Sequence, residues 1–264
     1  MIDQLEQVAR LAGEVLRQGF QKSQVIEEKG RASDLVTATD RAAEHVIREY
    51  LAKSFPTHAL LGEEDGLSGA ADAEWTWIFD PLDGTTSFAH GLPFFSTCIA
   101  LRRGREIVAG VVYEPLRDEM FAAEAGSGAT LNGEKLSVTT TVDLSRALLA
   151  TGFPYRIAEN PNKTLEVFAA VVPHARGIRR MGSAGLDLAY VACGRMDGYW
   201  ETSLQPWDCA AGALLVREAG GTVTDYGGNP HDIHGLEILA TNGGIHPSLM
   251  ERIKIGQGYD FKLS

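Results

Sequence analysis

Residues 75–86 of this 264-residue chain read WTWIFDPLDGTT, an aromatic and β-branched run followed by two acids and a glycine. The first five residues are typical of a short buried strand. Asp80 and Asp83 follow it, and Gly84 and Thr85 then predict a helix start. Carboxylates are hard oxygen ligands for Mg²⁺, and N–H groups at a helix start bind phosphate oxygens. The stretch therefore predicts a metal and phosphate site, and the alternative is a turn with a capping threonine.

Three other acidic segments also stand where a predicted element begins or ends. GEED at 62–65 follows an apolar run, DLVTATD at 34–40 leads into a helix, and QPWD at 205–208 opens another. Glu201 ends a strand seven residues before Asp208. Each has an ordinary alternative. The first is a solvated turn, the second contains the spacing of a capping box, and Asp208 is placed to interact with a helix dipole.

The acids of these segments have no basic neighbour within their motifs. Clustering Glu63, Asp80, Asp83 and Asp208 would cost several kcal/mol in repulsion and raised pKa values. Two or three divalent ions would remove that cost. Metal ions roughly 3.5–4 Å apart, bridged by shared carboxylates, activate water and stabilise a leaving oxygen. The four acids together therefore favour a metal-dependent hydrolytic site over four unrelated turns.

The overall composition narrows the class of protein. The net charge is −11, from 24 basic and 35 acidic side chains, so binding to nucleic acid is not expected, although acidity also serves solubility. No apolar run has the ~18–20 residues of a membrane-spanning helix, and the first residues do not resemble a signal peptide. Three cysteines without a CxxC pair argue against a disulfide framework. We therefore expect no membrane association and a cytoplasmic location.

The pattern of apolar residues changes near residue 145. Before it, amphipathic helices are predicted at the chain start and over Thr39–Ser54, together with strands that form an antiparallel sheet under them. After it, strands and helices alternate, which predicts further α/β layers. We therefore predict an α/β fold, with an α+β half at 1–145 and an α/β half at 146–264. The strands predicted in the first half are 75–79, 96–102, 107–113 and 119–124.

Five motifs resemble the inositol monophosphatase family, in the wider superfamily of lithium-sensitive, Mg²⁺-dependent phosphatases. They lie in the expected order and span nearly the whole chain. One departure is Ser87, where many members have asparagine, but it lies outside the ligand set. The motifs are DLVTATD at 34–40, GEE at 62–64, WIFDPLDGTTSFAHG at 77–91, RRMGSAGLDLAYVACGRMDGYWE at 179–201 and PWDCAAGALLVREAGG at 206–221.

The resemblance implies a layered αβαβα sandwich, a homodimer and a site with two or three Mg²⁺ ions. By matching motif, the first ion would be held by Glu63, Asp80 and the carbonyl of Leu82. The second would be held by Asp80, Asp83 and Asp208. Glu63 would also lie near a weaker third ion.

The resemblance also implies roles in catalysis. The nucleophile would be a metal-activated water that Thr85 orients in partnership with Asp40, and Glu64 is a further candidate beside Glu63. The N–H groups of Gly84 and Thr85 would bind phosphate. Lys29 aligns with a lysine of a mobile loop that approaches the metal ions.

Substrate recognition is expected from three further groups. Glu201 and Asp83 would accept hydrogen bonds from ring hydroxyls, and the N–H of Ala184 would donate one. The expected substrate is a small phosphate monoester, inositol 1-phosphate first. Fructose 1,6-bisphosphate, 3′-phosphoadenosine 5′-phosphate and histidinol phosphate are alternatives on the same fold. A non-catalytic metal-binding regulatory protein is the alternative from a different class, and the complete ligand set argues against it.

Overall fold

The computed structural model describes residues 1–20, 22, 26–28 and 35–258, with 26–28 described by their backbone. Lys29, expected in a mobile loop, lies outside these residues, and so does Asp34 of the first motif. A short antiparallel pair joins β1 (Ile26–Glu28) to β2 (Leu35–Thr37). The helices are α1 (Ile2–Gly19), α2 (Ala38–Ser54), α3 (Thr85–Ala89), α4 (Thr164–Val171), α5 (Ala184–Ala192), α6 (Pro206–Glu218) and α7 (His246–Gly258).

The larger sheet has eight strands in the spatial order β10-β9-β8-β7-β6-β5-β3-β4. Its neighbours are antiparallel, except that β3 runs parallel to β5. The acids at 63–65 lie in the turn after β3, and those at 80–83 lie on the adjacent β5. The strands of this sheet are β3 (Ala59–Gly62), β4 (Gly66–Ser68), β5 (Trp75–Asp83), β6 (Ser96–Arg103), β7 (Glu106–Glu114), β8 (Glu119–Glu124), β9 (Gly128–Leu131) and β10 (Glu134–Lys135).

The smaller sheet has five strands in the order β12-β11-β13-β15-β14. The strand β11, second from the edge, is parallel to both β12 and β13, whereas the pairs with β15 are antiparallel. Strands and helices alternate after residue 145, as predicted, and the strands form a sheet with both parallel and antiparallel pairs. Its strands are β11 (Leu148–Thr151), β12 (Gly177–Arg179), β13 (Gly198–Thr202), β14 (Thr222–Thr224) and β15 (Glu237–Thr241).

Helices and sheets alternate in layers. The helices α1 and α2 bury apolar stripes against one face of the larger sheet. The helices α5 and α6 fill the space between the two sheets, and α4 and α7 cover the far face of the smaller sheet. An apolar helix face has to be buried against another element. In this order of layers, the apolar face of each of these helices packs against a sheet. The layered αβαβα fold is confirmed.

The middle helices lie close to the larger sheet because small residues face each other there. A Cβ atom on Gly110 of β7 would lie 2.9 Å from the Cα of Ala211 in α6. Within the middle layer, a Cβ on Gly212 would lie 2.6 Å from Leu188 of α5. Both glycines are therefore required by close packing. Gly110 lets α6 approach the larger sheet, and Gly212 lets α5 and α6 approach each other.

The boundary near residue 145 stays a prediction. The two sheets are formed by separate stretches of the chain, but α5 and α6 contribute to one apolar core with residues of both sheets. Within the described part of the chain, no helix is both long and apolar enough to cross a membrane.

Candidate active site

The strand β5 extends further than its apolar residues indicated. A strand ending at Phe79 was predicted, but pairing with β6 continues to Asp83, with a shift of register between Asp80 and Asp83. This irregularity accommodates Pro81, which has no N–H to donate to a neighbouring strand. Both acids are buried, and the chain then leaves the sheet at Gly84.

Gly84 makes the sharp turn between β5 and α3. Its φ is +97°, a left-handed conformation that disfavours a side chain. A Cβ atom there would also lie 3.0 Å from the carbonyl oxygen of Phe94 and 3.2 Å from that of Gly182. The turn therefore requires glycine, and it brings Thr85 back towards the end of β5.

Asp83 connects the larger sheet to the start of α5. Its Oδ2 accepts hydrogen bonds from the Ser183 hydroxyl at 2.6 Å and the Gly185 N–H at 2.7 Å. Its Oδ1 accepts one from the Ala184 N–H at 3.2 Å. The Ala184 N–H expected to meet substrate therefore already donates to Asp83, and its contact with a substrate stays a prediction.

Asp40 serves a helix and Thr85 at the same time. Its Oδ2 accepts the N–H of Thr37 at 2.9 Å and the Thr37 hydroxyl at 2.5 Å, so α2 begins with the capping box that was considered as the alternative. Its Oδ1 lies 3.1 Å from the Thr85 hydroxyl. That hydroxyl also lies 3.0 Å from the carbonyl oxygen of Leu82. The Thr85–Asp40 pair is therefore present.

The other acids reach the same place from different elements. Glu63 follows β3 and lies close enough to Asp80 to raise the pKa of that carboxyl. Asp208 lies in the first turn of α6, where its Oδ2 accepts the Gln205 N–H at 2.7 Å. The backbone N–H of Glu64 donates to Glu44 at 2.9 Å, and the catalytic role of Glu64 stays a prediction.

Glu201 is positioned by two features of the smaller sheet. Its Oε2 accepts the hydroxyl of Tyr199, a fully buried residue of the same strand, at 2.5 Å. Its carboxylate also packs against Gly152, where a Cβ atom would lie 1.9 Å from Oε2. Neither Tyr199 nor Gly152 was singled out from the sequence. The position of Tyr199 could have been predicted, because side chains alternate along a strand and those of residues 199 and 201 therefore point to the same face.

Most of the side chains described above line one cavity of about 310 Å³. Arg180 is the only basic side chain among its described lining residues. Asp40 does not line the cavity and reaches it through Thr85, and Glu64 does not line it either. The sequence-predicted residues in the lining are Glu63, Asp80, Leu82, Asp83, Gly84, Thr85, Ala184, Glu201 and Asp208.

The cavity acids have raised pKa values. Burial raises the pKa of Asp80 well above its usual range, and Glu63, Asp83 and Asp208 raise it further. The pKa of Asp208 is also raised well above its usual range, mainly by burial and then by the charge of Glu63. The pKa of Asp83 rises to about 6 and that of Glu201 to about 7, again mainly through burial. As anions, these groups need a cation beside them.

The donor set suits hard divalent cations. Buried carboxylates and a backbone carbonyl supply oxygen ligands, which Mg²⁺ prefers over nitrogen or sulfur. Across the described ranges, no three acidic, histidine or cysteine side chains form a preassembled metal cage. The fit therefore rests on the chemistry, burial and raised pKa values of the donors.

A family model, known protein sequences and solved structures were each found to be similar to this chain. The model of the inositol monophosphatase family matches residues 1–256. An inositol-1-monophosphatase of Synechocystis is 47% identical over 232 residues, 88% of this chain and 81% of that protein. The Nus factor SuhB of Pseudomonas aeruginosa is 45% identical, with 93% of each chain covered. The structure of an inositol monophosphatase from Anabaena superposes with a TM-score of 0.87 at 43% identity, covering 96% of this chain and 94% of that one.

Proposed function

The chain belongs to the inositol monophosphatase family and is a phosphatase, and we propose that it is a Mg²⁺-dependent enzyme that hydrolyses inositol 1-phosphate to inositol and phosphate. The observation that carries this proposal is the meeting of four acids, the buried Asp80 and Asp83 and the half-buried Glu63 and Asp208, with Thr85 and Glu201 in one cavity. The four acids would bind metal ions, Thr85 would orient the attacking water, and Glu201 would accept a hydrogen bond from a hydroxyl group of the substrate.

Two sets of oxygen ligands are proposed for the metal ions. The first set is Glu63, Asp80 and the Leu82 carbonyl. The second is Asp80, Asp83 and Asp208, and Glu63 would also lie near a third ion. When bound, divalent ions would supply Lewis acidity towards the phosphate and the leaving oxygen and would acidify a neighbouring water. The raised pKa values of the buried acids support this assignment.

Thr85 is proposed to position the attacking water. Its hydroxyl has one hydrogen to donate, and the two acceptors in reach are Asp40 Oδ1 at 3.1 Å and the Leu82 carbonyl oxygen at 3.0 Å. Since the Leu82 carbonyl is proposed to bind a metal ion, the hydrogen is proposed to go to Asp40. The lone pairs of the Thr85 oxygen are then directed to accept a hydrogen bond from water. Because Asp40 is fixed by the cap of α2, the hydroxyl has a defined orientation. The Gly84 and Thr85 N–H groups are proposed to bind the phosphate.

The charge of the cavity favours an uncharged polyol as the leaving group. A second phosphate or a nucleotide would have to enter a cavity in which Arg180 is the only basic group among the described lining residues. A ring of hydroxyls finds acceptors at Glu201, whose position is fixed by Tyr199. Inositol 1-phosphate therefore fits better than fructose 1,6-bisphosphate or 3′-phosphoadenosine 5′-phosphate.

A substrate panel tests this order. Phosphate release would be measured under Mg²⁺ from inositol 1-phosphate, glycerol 2-phosphate and the alternatives above, with histidinol phosphate included. The highest kcat/KM is expected for inositol 1-phosphate. A higher value for a bisphosphate or nucleotide would refute the proposed substrate, and no release from any ester would favour a non-catalytic protein.

Lithium is proposed to inhibit the enzyme. Li⁺ is close to Mg²⁺ in size but has half the charge, so it would occupy the second ligand set without the same polarisation. Inhibition should strengthen as the concentration of substrate rises, because Li⁺ would trap the complex with product. Initial rates over a grid of Li⁺ and substrate, with Na⁺ holding ionic strength constant, test this. Activity indifferent to millimolar Li⁺ would refute it.

A homodimer and a cytoplasmic location complete the proposal. The dimer is expected from the family resemblance. Light scattering coupled to size exclusion would give twice the chain mass of 28.5 kDa for a dimer, and a monomer mass would contradict it.

A further inference from the structure

Asp187 is a buried acid in an apolar helix. It lies one turn beyond Ala184 in α5, and its exposed fraction is 1%. The remaining residues of this helix are also buried, and most of them are apolar. Asp187 lines the same cavity as Glu201 and the metal-binding acids. A carboxyl at this position is unfavourable unless something in the cavity interacts with it.

The Oδ1 atom of Asp187 is fully buried and has no hydrogen-bonding partner among the described residues. The other acids of the cavity differ in this respect. Asp83 accepts three close hydrogen bonds, Asp208 accepts one from Gln205, and Glu201 accepts one from Tyr199. Buried polar groups in proteins are normally paired, so the exception needs an explanation.

The charges around Asp187 identify its neighbours. Burial raises its pKa well above the usual range, Glu201 and then Asp83 raise it further, and Arg180 acts in the opposite direction. Asp187 therefore lies within electrostatic range of the two acids proposed to meet the polyol. An anion would add to the repulsion, so the missing partner is expected to be a hydrogen-bond donor without negative charge, as a hydroxyl group is.

We propose that Asp187 is a specificity-determining residue, which binds a hydroxyl group of the substrate's polyol beside Glu201. The substrate would then supply the hydrogen bond that the protein itself leaves unmade. This inference rests on the proposed function and adds a recognition group to it. A substrate without hydroxyls would leave the carboxyl unpaired and gain nothing from it.

Selectivity between two substrates tests the proposal. The ratio of kcat/KM for inositol 1-phosphate to that for an aryl phosphate would be measured for Asp187→Asn and Asp187→Leu. Glu114→Gln is the matched control, because Glu114 is also fully buried with an unpaired Oε1 but lies outside the cavity lining. We expect the ratio to fall about tenfold in Asp187→Asn, further in Asp187→Leu, and to stay unchanged in Glu114→Gln.

Thermal unfolding separates recognition from a structural role. Removing a buried, unpaired carboxyl relieves a desolvation cost, so Asp187→Asn should melt at the same or a higher temperature than the wild type. An unchanged selectivity ratio would overturn the proposal. So would equal losses on both substrates, or variants that melt lower or fail to fold.

The substrates that the wild type hydrolyses test the proposed function separately from the Asp187 proposal. If it hydrolyses other polyol phosphates but not inositol 1-phosphate, the substrate proposal fails and the Asp187 ratio is taken with the polyol phosphate turned over fastest. If it hydrolyses only the aryl phosphate, both proposals are overturned. If it hydrolyses inositol 1-phosphate and the Asp187 ratio does not change, only the Asp187 proposal fails.

Discussion

Asp40 has a different function for each of its two oxygens. Oδ2 completes the capping box of α2, and Oδ1 accepts the Thr85 hydroxyl. From the sequence, capping and catalysis were alternatives for this residue, but the geometry permits both. Burial raises the pKa of Asp40, while its hydrogen bonds with Thr37 and Thr85 act against that rise. The cap therefore fixes the acceptor that orients Thr85.

Substitution of Thr85 should affect mainly kcat. In Thr85→Ala the water loses its positioning group, and a loss of roughly 10²–10⁴-fold is expected, as for general base assistance. Thr85→Ser keeps a hydroxyl and should retain most of the activity, so it is the matched control. Steady-state kinetics on inositol 1-phosphate measure both. A loss confined to KM would mean that Thr85 only binds phosphate.

At the scale of residues, the sequence predicts which groups meet but not what holds them. The acids and Thr85 are recognisable because each ends or begins an element. Ser183, Gly152 and Tyr199 were not singled out, because their contacts join residues distant in sequence or depend on the absence of a side chain. Such contacts become visible only when the layers are assembled.

The turn between β3 and β4 is held by a buried ion pair on α2. Glu44 is 1% exposed, and it accepts the N–H groups of Glu64 at 2.9 Å and Asp65 at 3.0 Å. Arg48 donates to Glu44 at 2.8 Å and to the carbonyl oxygen of Gly66 at 2.6 Å. This pair fixes the turn that carries the predicted metal ligand Glu63.

Glu44→Gln should therefore weaken metal binding. The amide would place a donor against a backbone N–H group, which would loosen the turn. Groups that orient metal ligands typically change affinity by about 10–100-fold, so a loss in that range is expected for Mg²⁺. Titration calorimetry with Mg²⁺ measures it independently of activity. Glu49→Gln, on the exposed side of α2, is the control, and equal affinities in both variants would contradict the role of Glu44.

At the scale of elements, the sequence predicts long helices better than strand ends. The helix α1 was predicted at the chain start, and the bounds of α2 were predicted within a few residues, because apolar periodicity extends over several turns. The end of β5 was wrong by four residues, since proline and aspartate are both disfavoured in strands but are accommodated here by the irregular pairing with β6.

At the scale of the molecule, the layers bring distant acids together. Asp83 comes from the larger sheet, Asp208 from the middle helices and Glu201 from the smaller sheet. Burying several acids in one cavity opposes folding unless they are neutral or matched by cations. The strand–helix alternation predicted that layers exist, but not that their edges meet at one cavity.

His231 makes the stability of the molecule depend on pH. It lies between β14 and β15, its Nδ1 is buried without a partner among the described residues, and burial and Arg217 lower its pKa to about 4, against the opposing effects of Asp232 and Asp225. As pH falls from 6.5 towards 4, the unfolded chain binds a proton before the folded one, so stability is lost.

His231→Gln should lose less stability in acid. Between about pH 7 and about pH 4.5, its free energy of unfolding should fall by roughly 2 kcal/mol less than that of the wild type. Urea unfolding at both pH values measures this difference. His45→Gln, on the exposed face of α2, is the control and should follow the wild type. The same acid dependence in all three proteins would exclude His231 as its source.

The most direct test of the metal-dependent site is phosphate release from inositol 1-phosphate after metal removal. The wild type is expected to lose activity in EDTA and to recover it when Mg²⁺ is restored. Asp83→Asn, confirmed as folded by circular dichroism, should be slower by orders of magnitude even at saturating Mg²⁺, because Asp83 lies in the second ligand set and among the expected substrate contacts. Activity that survives EDTA, or near-normal activity in folded Asp83→Asn, would contradict the account.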